Sequence, residues 1–244
     1  MNFSIAAITL DLDDTLWPFA PIGARVEHTL HAWFQEHSPA TAERFPIAAM
    51  RELRTELIAR HPHLAHDAGA LRRLGIEHAL RESGADHALA KAAYAAFYAE
   101  RNRVEFYRDA LPALRRIAAL HPIAAVTNGN ADLHAIGIAE YFAFRIAAHE
   151  HGAGKPDPGI FLAACEQLGC APSQVLHVGD DVDADMRGAH LAGLRTCWVH
   201  REDARERHPQ WPSDAEFHPD LIVEDLAALA DWLHAPVPTH RMPA

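Results

Sequence analysis

Cysteine is scarce in this chain, with three in 244 residues. Cys165, Cys170 and Cys197 are odd in number and lack a zinc-like spacing, which argues against a disulfide framework and a structural metal site. Free thiols in a reducing cytoplasm are the expectation. Long apolar runs are missing as well. Asp11 interrupts the apolar start, the amino terminus carries no basic segment, and no stretch reaches membrane-spanning length, so neither a leader nor a membrane partner is expected. Excess basic charge is also absent. A net charge of −11 without a basic stripe disfavours a nucleic-acid partner. It leaves room for a phosphorylated small molecule, because a metal ion can reverse the sign of a site locally. There is no repeat of solenoid length, and the 19 histidines are scattered without a repeated ligand spacing.

What is present is an ordinary globular composition, 49% apolar and 23% charged, on a chain long enough for an α/β domain with a modest second unit. The first informative stretch is Ile5-Ala6-Ala7-Ile8-Thr9-Leu10, which ends in Asp11, Asp13 and Asp14 within four positions. It reads as a buried parallel strand delivering acids to its carboxyl end, the edge of an open α/β sheet where ligands bind.

After Trp17, Pro18 and Pro21 break the backbone before an Ala-, Leu- and Arg-rich region without strand signals. Amphipathic spacing predicts four helices over about 22–36, 47–60, 70–82 and 88–103, a small bundle inserted into the chain. Trp33, Phe97 and Tyr98 are expected in its core. From about residue 108 helix and strand alternate. Strands are expected at 122–127, 144–148, 175–178, 196–199 and 221–223, with helices between them and a closing helix over 225–233. The fold class is therefore α/β: a Rossmann-like parallel sheet covered by helices on both faces, with an inserted helical bundle. The domain division expected is a core of 1–16 and 105–244 and a helical insertion of 17–104. Residues 201–218 read as a surface loop and 236–244 as a frayed tail.

Several strand ends converge on one edge. Asp11 and Asp13 follow the first, Thr127 and Asn128 the second, and Asp180 with Asp181, Asp183 and Asp185 the fourth, while Lys155 sits on an intervening loop. Crowded carboxylates repel unless a cation lies among them, and oxygen ligands of this kind suit Mg2+ together with a substrate phosphate. Lys155 would neutralise a nucleophilic carboxylate and a phosphate oxygen, and Thr127 with a nearby backbone N–H could hold other phosphate oxygens. Asp14 and Asp183 read as solvated or capping acids, and His177 as a packed strand residue. Trp17 follows the acidic loop directly, and is a candidate either for core packing or for lining the substrate cleft.

The ordered set DxDxT, Thr127-Asn128, Lys155-Pro156 and Gly179-Asp180-Asp181 resembles the haloacid dehalogenase superfamily, with the helical insertion where that superfamily places its type-1 cap. The resemblance implies that Asp11 is the nucleophile of an aspartyl-phosphate mechanism and Asp13 the general acid/base. It implies that Thr127 and Lys155 stabilise phosphate, and that Asp11, the backbone carbonyl of Asp13, and Asp180 bind Mg2+, with Asp181 and Asp185 in supporting positions. Asp13 favours phosphate ester hydrolysis over attack on carbon, since the founding dehalogenases need no proton donor there. Val126-Thr127-Asn128-Gly129-Asn130-Ala131, Leu176-His177-Val178-Gly179-Asp180-Asp181 and Cys197-Trp198-Val199 resemble a bacterial branch associated with FMN and the phosphorylated ribitylamino-uracil precursor of riboflavin. The alternatives are a phosphomutase-type transferase and a catalytically silent binding protein.

Overall fold

Strands form where apolar, β-branched runs can be buried on both faces, as parallel sheets demand. A computed structural model describes residues 4–202, 211 and 217–235. Its strands are β1 (Ala7–Leu10), β2 (Ile123–Thr127), β3 (Phe144–Ala147), β4 (Val175–Gly179), β5 (Arg195–Val199) and β6 (Leu221–Val223). They pair in the order β3-β2-β1-β4-β5-β6, every pair parallel. Every residue of β1, β2 and β4 is buried, which is why these segments lack polar alternation. The order runs outward in both directions from the centre, so the β1/β4 junction is the topological switch point where a ligand crevice opens.

The helices are α1 (Phe19–His37), α2 (Pro39–Arg44), α3 (Ile47–Arg60), α4 (Ala68–Glu82), α5 (Ala90–Arg101), α6 (Ala110–Ala118), α7 (Leu133–Ile136), α8 (Ala148–His151), α9 (Pro158–Leu168), α10 (Gly188–Leu191) and α11 (Leu226–His234). On one sheet face Leu114 and Ile117 of α6 and Leu229 of α11 join Ile8, Leu10 and Leu176. On the other, Ile160, Phe161 and Ala164 of α9 cover Ala7, Val126 and Val175. Both faces are thus sealed, as the alternating βα pattern requires.

The inserted helices follow their apolar spacing. Ile22, Val26, Leu30 and Phe34 form the buried stripe of α1, and Met50, Leu53 and Leu57 that of α3. Leu30, Phe34, Leu53, Leu57, Ile76 and Leu80 make a cluster of their own, whereas Trp17, Ile22, Val26 and Phe97 pack into the cluster beneath the sheet. Two features depart from expectation. A short helix, α2, begins at Pro39, a favoured first-turn residue, between the first two expected helices. The helix after Asp181 starts as a turn of π-helix, Val182–Arg187. Of the expected loop over 201–218, only 201, 202, 211, 217 and 218 are among the described residues, and the tail over 236–244 lies outside them.

Candidate active site

The site grows out of strand register. Thr9 stands opposite His177 across β1 and β4, and Thr9 Oγ1 lies 2.9 Å from His177 Nδ1. One step on, the Asp11 N–H donates to the Val178 carbonyl at 2.9 Å, so the chain leaves β1 still tethered to β4. This delivers Asp11 to the switch point at the β1/β4 junction.

Lys155 reaches the same spot from the loop before α9. Its Nζ donates to Asp11 Oδ1 and to Asp185 Oδ1, each at 2.5 Å. Asn128 fixes that loop: its Nδ2 donates to the Lys155 carbonyl and its Oδ1 accepts from the Lys155 N–H, at 2.8 and 2.7 Å. The Asn128 amide is therefore spent on positioning Lys155. Thr127 is buried at the end of β2, with Oγ1 accepting the Gly129 N–H at 2.9 Å. Glycine is needed at 129, since a Cβ there would stand 2.6 Å from Asp13 Oδ2.

Asp13 is gripped from both ends of the helical insertion. Trp17 Nε1 donates to its Oδ1 at 2.8 Å and Arg101 Nη2 to its Oδ2 at 2.6 Å. Trp17 has no exposed surface, so the choice left open by the sequence resolves to core packing, with the indole N–H orienting Asp13 instead of lining a cleft. Arg101 escaped sequence reasoning altogether. It sits among many arginines, and only the fold brings it to an acid 88 positions away.

The acids after β4 separate in role. Asp180 accepts from Thr15 Oγ1 at 3.1 Å. Asp181 Oδ1 caps the following turn, accepting the N–H groups of Asp183 and Ala184, so its carboxylate is directed away from the cluster. Asp183 pairs with Arg187 at the surface. Asp185 folds back across Gly179, where any Cβ would overlap it, and binds Lys155, His177 Nε2 at 3.0 Å and the Asp181 N–H at 3.0 Å. His177 is thus the packed strand residue expected, and in addition links Thr9 to Asp185.

Burial shapes the charges. Desolvation raises the Asp11 carboxyl to about 7, aided by Asp185 and Asp13 and opposed by Lys155. Asp180 is likewise raised by burial and by the neighbouring acids. Asp185 goes the other way: burial opposes its charge, but Lys155 and His177 hold it well below the usual carboxylate range. Asp11, Asp180 and Asp185 each place a ligand oxygen within 4.8 Å of the others. Two of these acids lack sufficient counter-charge, and an all-oxygen set suits a hard divalent cation. The residues therefore fit Mg2+, with Asp185 already engaged by Lys155 and His177.

The signs of these shifts set a pH dependence. A raised native pKa means that ionising Asp11 costs stability as pH climbs from the ordinary carboxylate range towards about 7. Mg2+ held among these acids would offset that cost by binding the ionised form, and protons would compete with it below about 7. The Mg2+-induced rise in melting temperature, measured against EDTA, should be largest at pH 8 and shrink steadily towards pH 5. A pH-independent increment would place the ion elsewhere.

Asp14 has φ of 60°, and its Oδ1 accepts the Phe19 N–H at 2.9 Å, which fixes the entry to α1. Asparagine tolerates that backbone region and keeps the acceptor. Asp14→Asn should leave turnover within about twofold, whereas Asp14→Ala should lower stability by about 1 kcal/mol in a denaturant titration.

The chain is similar to known proteins over most of its length. The family model described as haloacid dehalogenase-like hydrolase matches residues 5–193. The chain is 32% identical to the 5-amino-6-(5-phospho-D-ribitylamino)uracil phosphatase YigB of Escherichia coli, over 94% of this chain and 96% of that one. It is 34% identical to a phosphoserine phosphatase of Thermus thermophilus, covering 90% and 95%. Among solved structures, a 2-haloacid dehalogenase from Pseudomonas syringae pv. tomato superimposes with a TM-score of 0.85 at 35% identity, covering 94% of this chain and 98% of that one.

Proposed function

The chain belongs to the haloacid dehalogenase-like hydrolases, and on that premise we propose that it hydrolyses a small-molecule phosphate monoester, with Asp11 as nucleophile and Asp13 as general acid and base. The observation that carries this reading is the division of labour between two acids two residues apart. Lys155 holds Asp11 Oδ1, which leaves Oδ2 for attack, while Trp17 and Arg101 hold both oxygens of Asp13.

In the first half-reaction an Asp11 oxygen bonds to phosphorus as the ester P–O bond breaks, and the departing alkoxide takes the proton carried by Asp13. In the second, water attacks phosphorus, Asp13 takes its proton, and the P–O bond to Asp11 breaks to return the carboxylate and free phosphate. Thr127, the backbone around Gly129 and Lys155 receive the phosphoryl oxygens, with Lys155 balancing the charge that builds on them. Mg2+, when bound by Asp11, Asp180 and the Asp13 carbonyl, supplies charge shielding for the phosphate. Phosphate monoesters need accelerations of up to ~10²¹, so such preorganised charge is required.

We take residues 17–104 as a cap that closes over Asp11 and excludes water, the remainder being the catalytic core. Closure should appear as increased hydrogen-exchange protection over 19–101 when orthovanadate is added with Mg2+; unchanged protection would show that the insertion does not close. Free buried thiols at Cys165 and Cys197 suit a cytoplasmic setting. Among the described residues, no helix is long and apolar enough to cross a membrane.

The superimposable dehalogenase supports a second reading, displacement at a carbon–halogen bond. A departing halide needs no proton, whereas Asp13 is oriented by two donors. Assaying Mg2+-dependent phosphate release from p-nitrophenyl phosphate beside chloride release from 2-chloropropionate separates the two; phosphate is the expected product. Transfer to a sugar phosphate acceptor instead of water would indicate a phosphomutase. Absence of any turnover above Asp11→Asn would indicate a silent binding protein. For the substrate itself, the core segments and the E. coli relative support a flavin-pathway phosphate, FMN or the ribitylamino-uracil phosphate. In a metabolite panel both should then rank among the better substrates.

A further inference from the structure

The transfer of the phosphoryl group leaves one large feature unused. Between α1, α3, α4 and α5 lies a cavity of about 310 Å³ whose polar wall is Arg51, Arg54, Arg72, Arg101 and Asn130 with a single acid, Glu27. That acid is already taken: Arg51 Nε and Nη2 both donate to Glu27 Oε2, at 2.8 and 2.5 Å. Arg72 sits over the Phe97 ring, its guanidinium carbon 4.6 Å from the centroid. Neither Arg54 nor Arg72 forms an ion pair among the described residues. Burial and the nearby Arg54 bring Arg72 down to about 10, which leaves it charged at neutral pH. Arg101 is only 3% exposed, and its Nη1 is buried without a hydrogen-bond partner.

Arg101 also locates the cavity relative to the chemistry. It lines the cavity and touches Asp13 Oδ2 at once. Since the leaving oxygen takes its proton from Asp13, a leaving group that runs past Arg101 would enter this space. With Arg51 matched by Glu27 and Arg101 by Asp13, the charges of Arg54 and Arg72 remain and repel each other in a partly desolvated pocket, and an anion placed between them relieves that repulsion. We propose that the cavity is the leaving-group subsite and that Arg54 and Arg72 bind a second oxyanion, carboxylate or phosphate, on the departing alcohol. The substrate class is then a phosphorylated hydroxy acid or a bisphosphate.

This inference rests on the phosphatase reading but competes with the flavin one, whose leaving groups carry no such charge. The test is calorimetric binding to full-length Asp11→Asn with Mg2+, using matched pairs: 3-phosphoglycerate against glycerol 3-phosphate, and glucose 1,6-bisphosphate against glucose 6-phosphate. At least one doubly anionic ligand should bind about tenfold or more tightly than its partner, as charge-assisted hydrogen bonds of this kind provide. The pair with the larger advantage identifies carboxylate or phosphate. Adding Arg72→Gln should shrink the advantage to within about twofold; Arg54→Gln, at an exposed position, gives the same readout should Arg72→Gln melt early. Equal binding within both pairs, an advantage that survives both substitutions, or a higher kcat/KM of wild type for FMN than for every doubly anionic ester would overturn the proposal. If wild type releases no phosphate from p-nitrophenyl phosphate while the binding advantage holds, the phosphatase reading fails and the anion subsite stands.

Discussion

Asp11→Asn should reduce phosphate release by at least about 10⁴-fold in kcat, the scale on which removing a nucleophile acts when the surrounding machinery remains. The amide cannot form the acyl phosphate, and its neighbours cannot compensate, since Lys155 has no side-chain oxygen and those of Thr127 and Asp13 are engaged by Gly129, Trp17 and Arg101. The fold should survive. Burial already favours the neutral form of the Asp11 carboxyl, and the substitution removes a charge that Asp185 and Asp13 oppose. Lys155 keeps its second partner, Asp185, at 2.5 Å. The melting temperature in EDTA should therefore equal or exceed that of wild type at pH 8, while the Mg2+ increment falls. A variant that loses activity together with several kcal/mol of stability would make Asp11 a structural acid instead of a nucleophile.

Lys155→Met should cost both quantities. The ammonium is buried between Asp11 and Asp185, and removing it strands two carboxylates of which Asp185 has only His177 and one backbone N–H left. Breaking a buried pair of this kind costs about 3–5 kcal/mol. Loss of the charge facing the phosphoryl oxygens should lower kcat by about 10²–10³-fold in addition. The pH dependence gives a separate check. Asp185 has a depressed native pKa, so its pairing stabilises the protein above the ordinary carboxylate range and is lost as pH falls through the native value. Wild type should lose that contribution on acidification, whereas Lys155→Met should lack it at neutral pH and show a flatter acid limb. Combining Lys155→Met with Asp11→Asn should recover part of the lost stability, because one stranded charge is gone. Strict additivity of the two changes would show that the residues do not interact.

The sheet was legible because buried parallel strands write themselves as short apolar runs, and the acids were legible because each follows such a run directly. Asp11 after β1, Thr127 after β2 and Asp180 after β4 need only the local rule that chemistry gathers at the carboxyl ends of strands. The helical insertion showed itself through 3.6-residue spacing. By contrast, the partners of those acids depend on register and loop path. Trp17 could be core or cleft until its indole N–H met Asp13. That the side-chain amide of Asn128 closes on the Lys155 backbone shows only in the fold. Asp181 and Asp185 were alike in sequence, and a π-turn sends one to cap a helix and the other onto Lys155. His177 and Arg101 gave no signal of their own, since a buried histidine and one arginine among many are ordinary. The sequence by itself determined which strands form and which acids end them, because those depend on neighbours along the chain. Only the tertiary structure decided which cation or donor meets each acid, because the bonds of Lys155 to Asp11 and of Arg101 to Asp13 span 144 and 88 positions and exist only once the strands are in register.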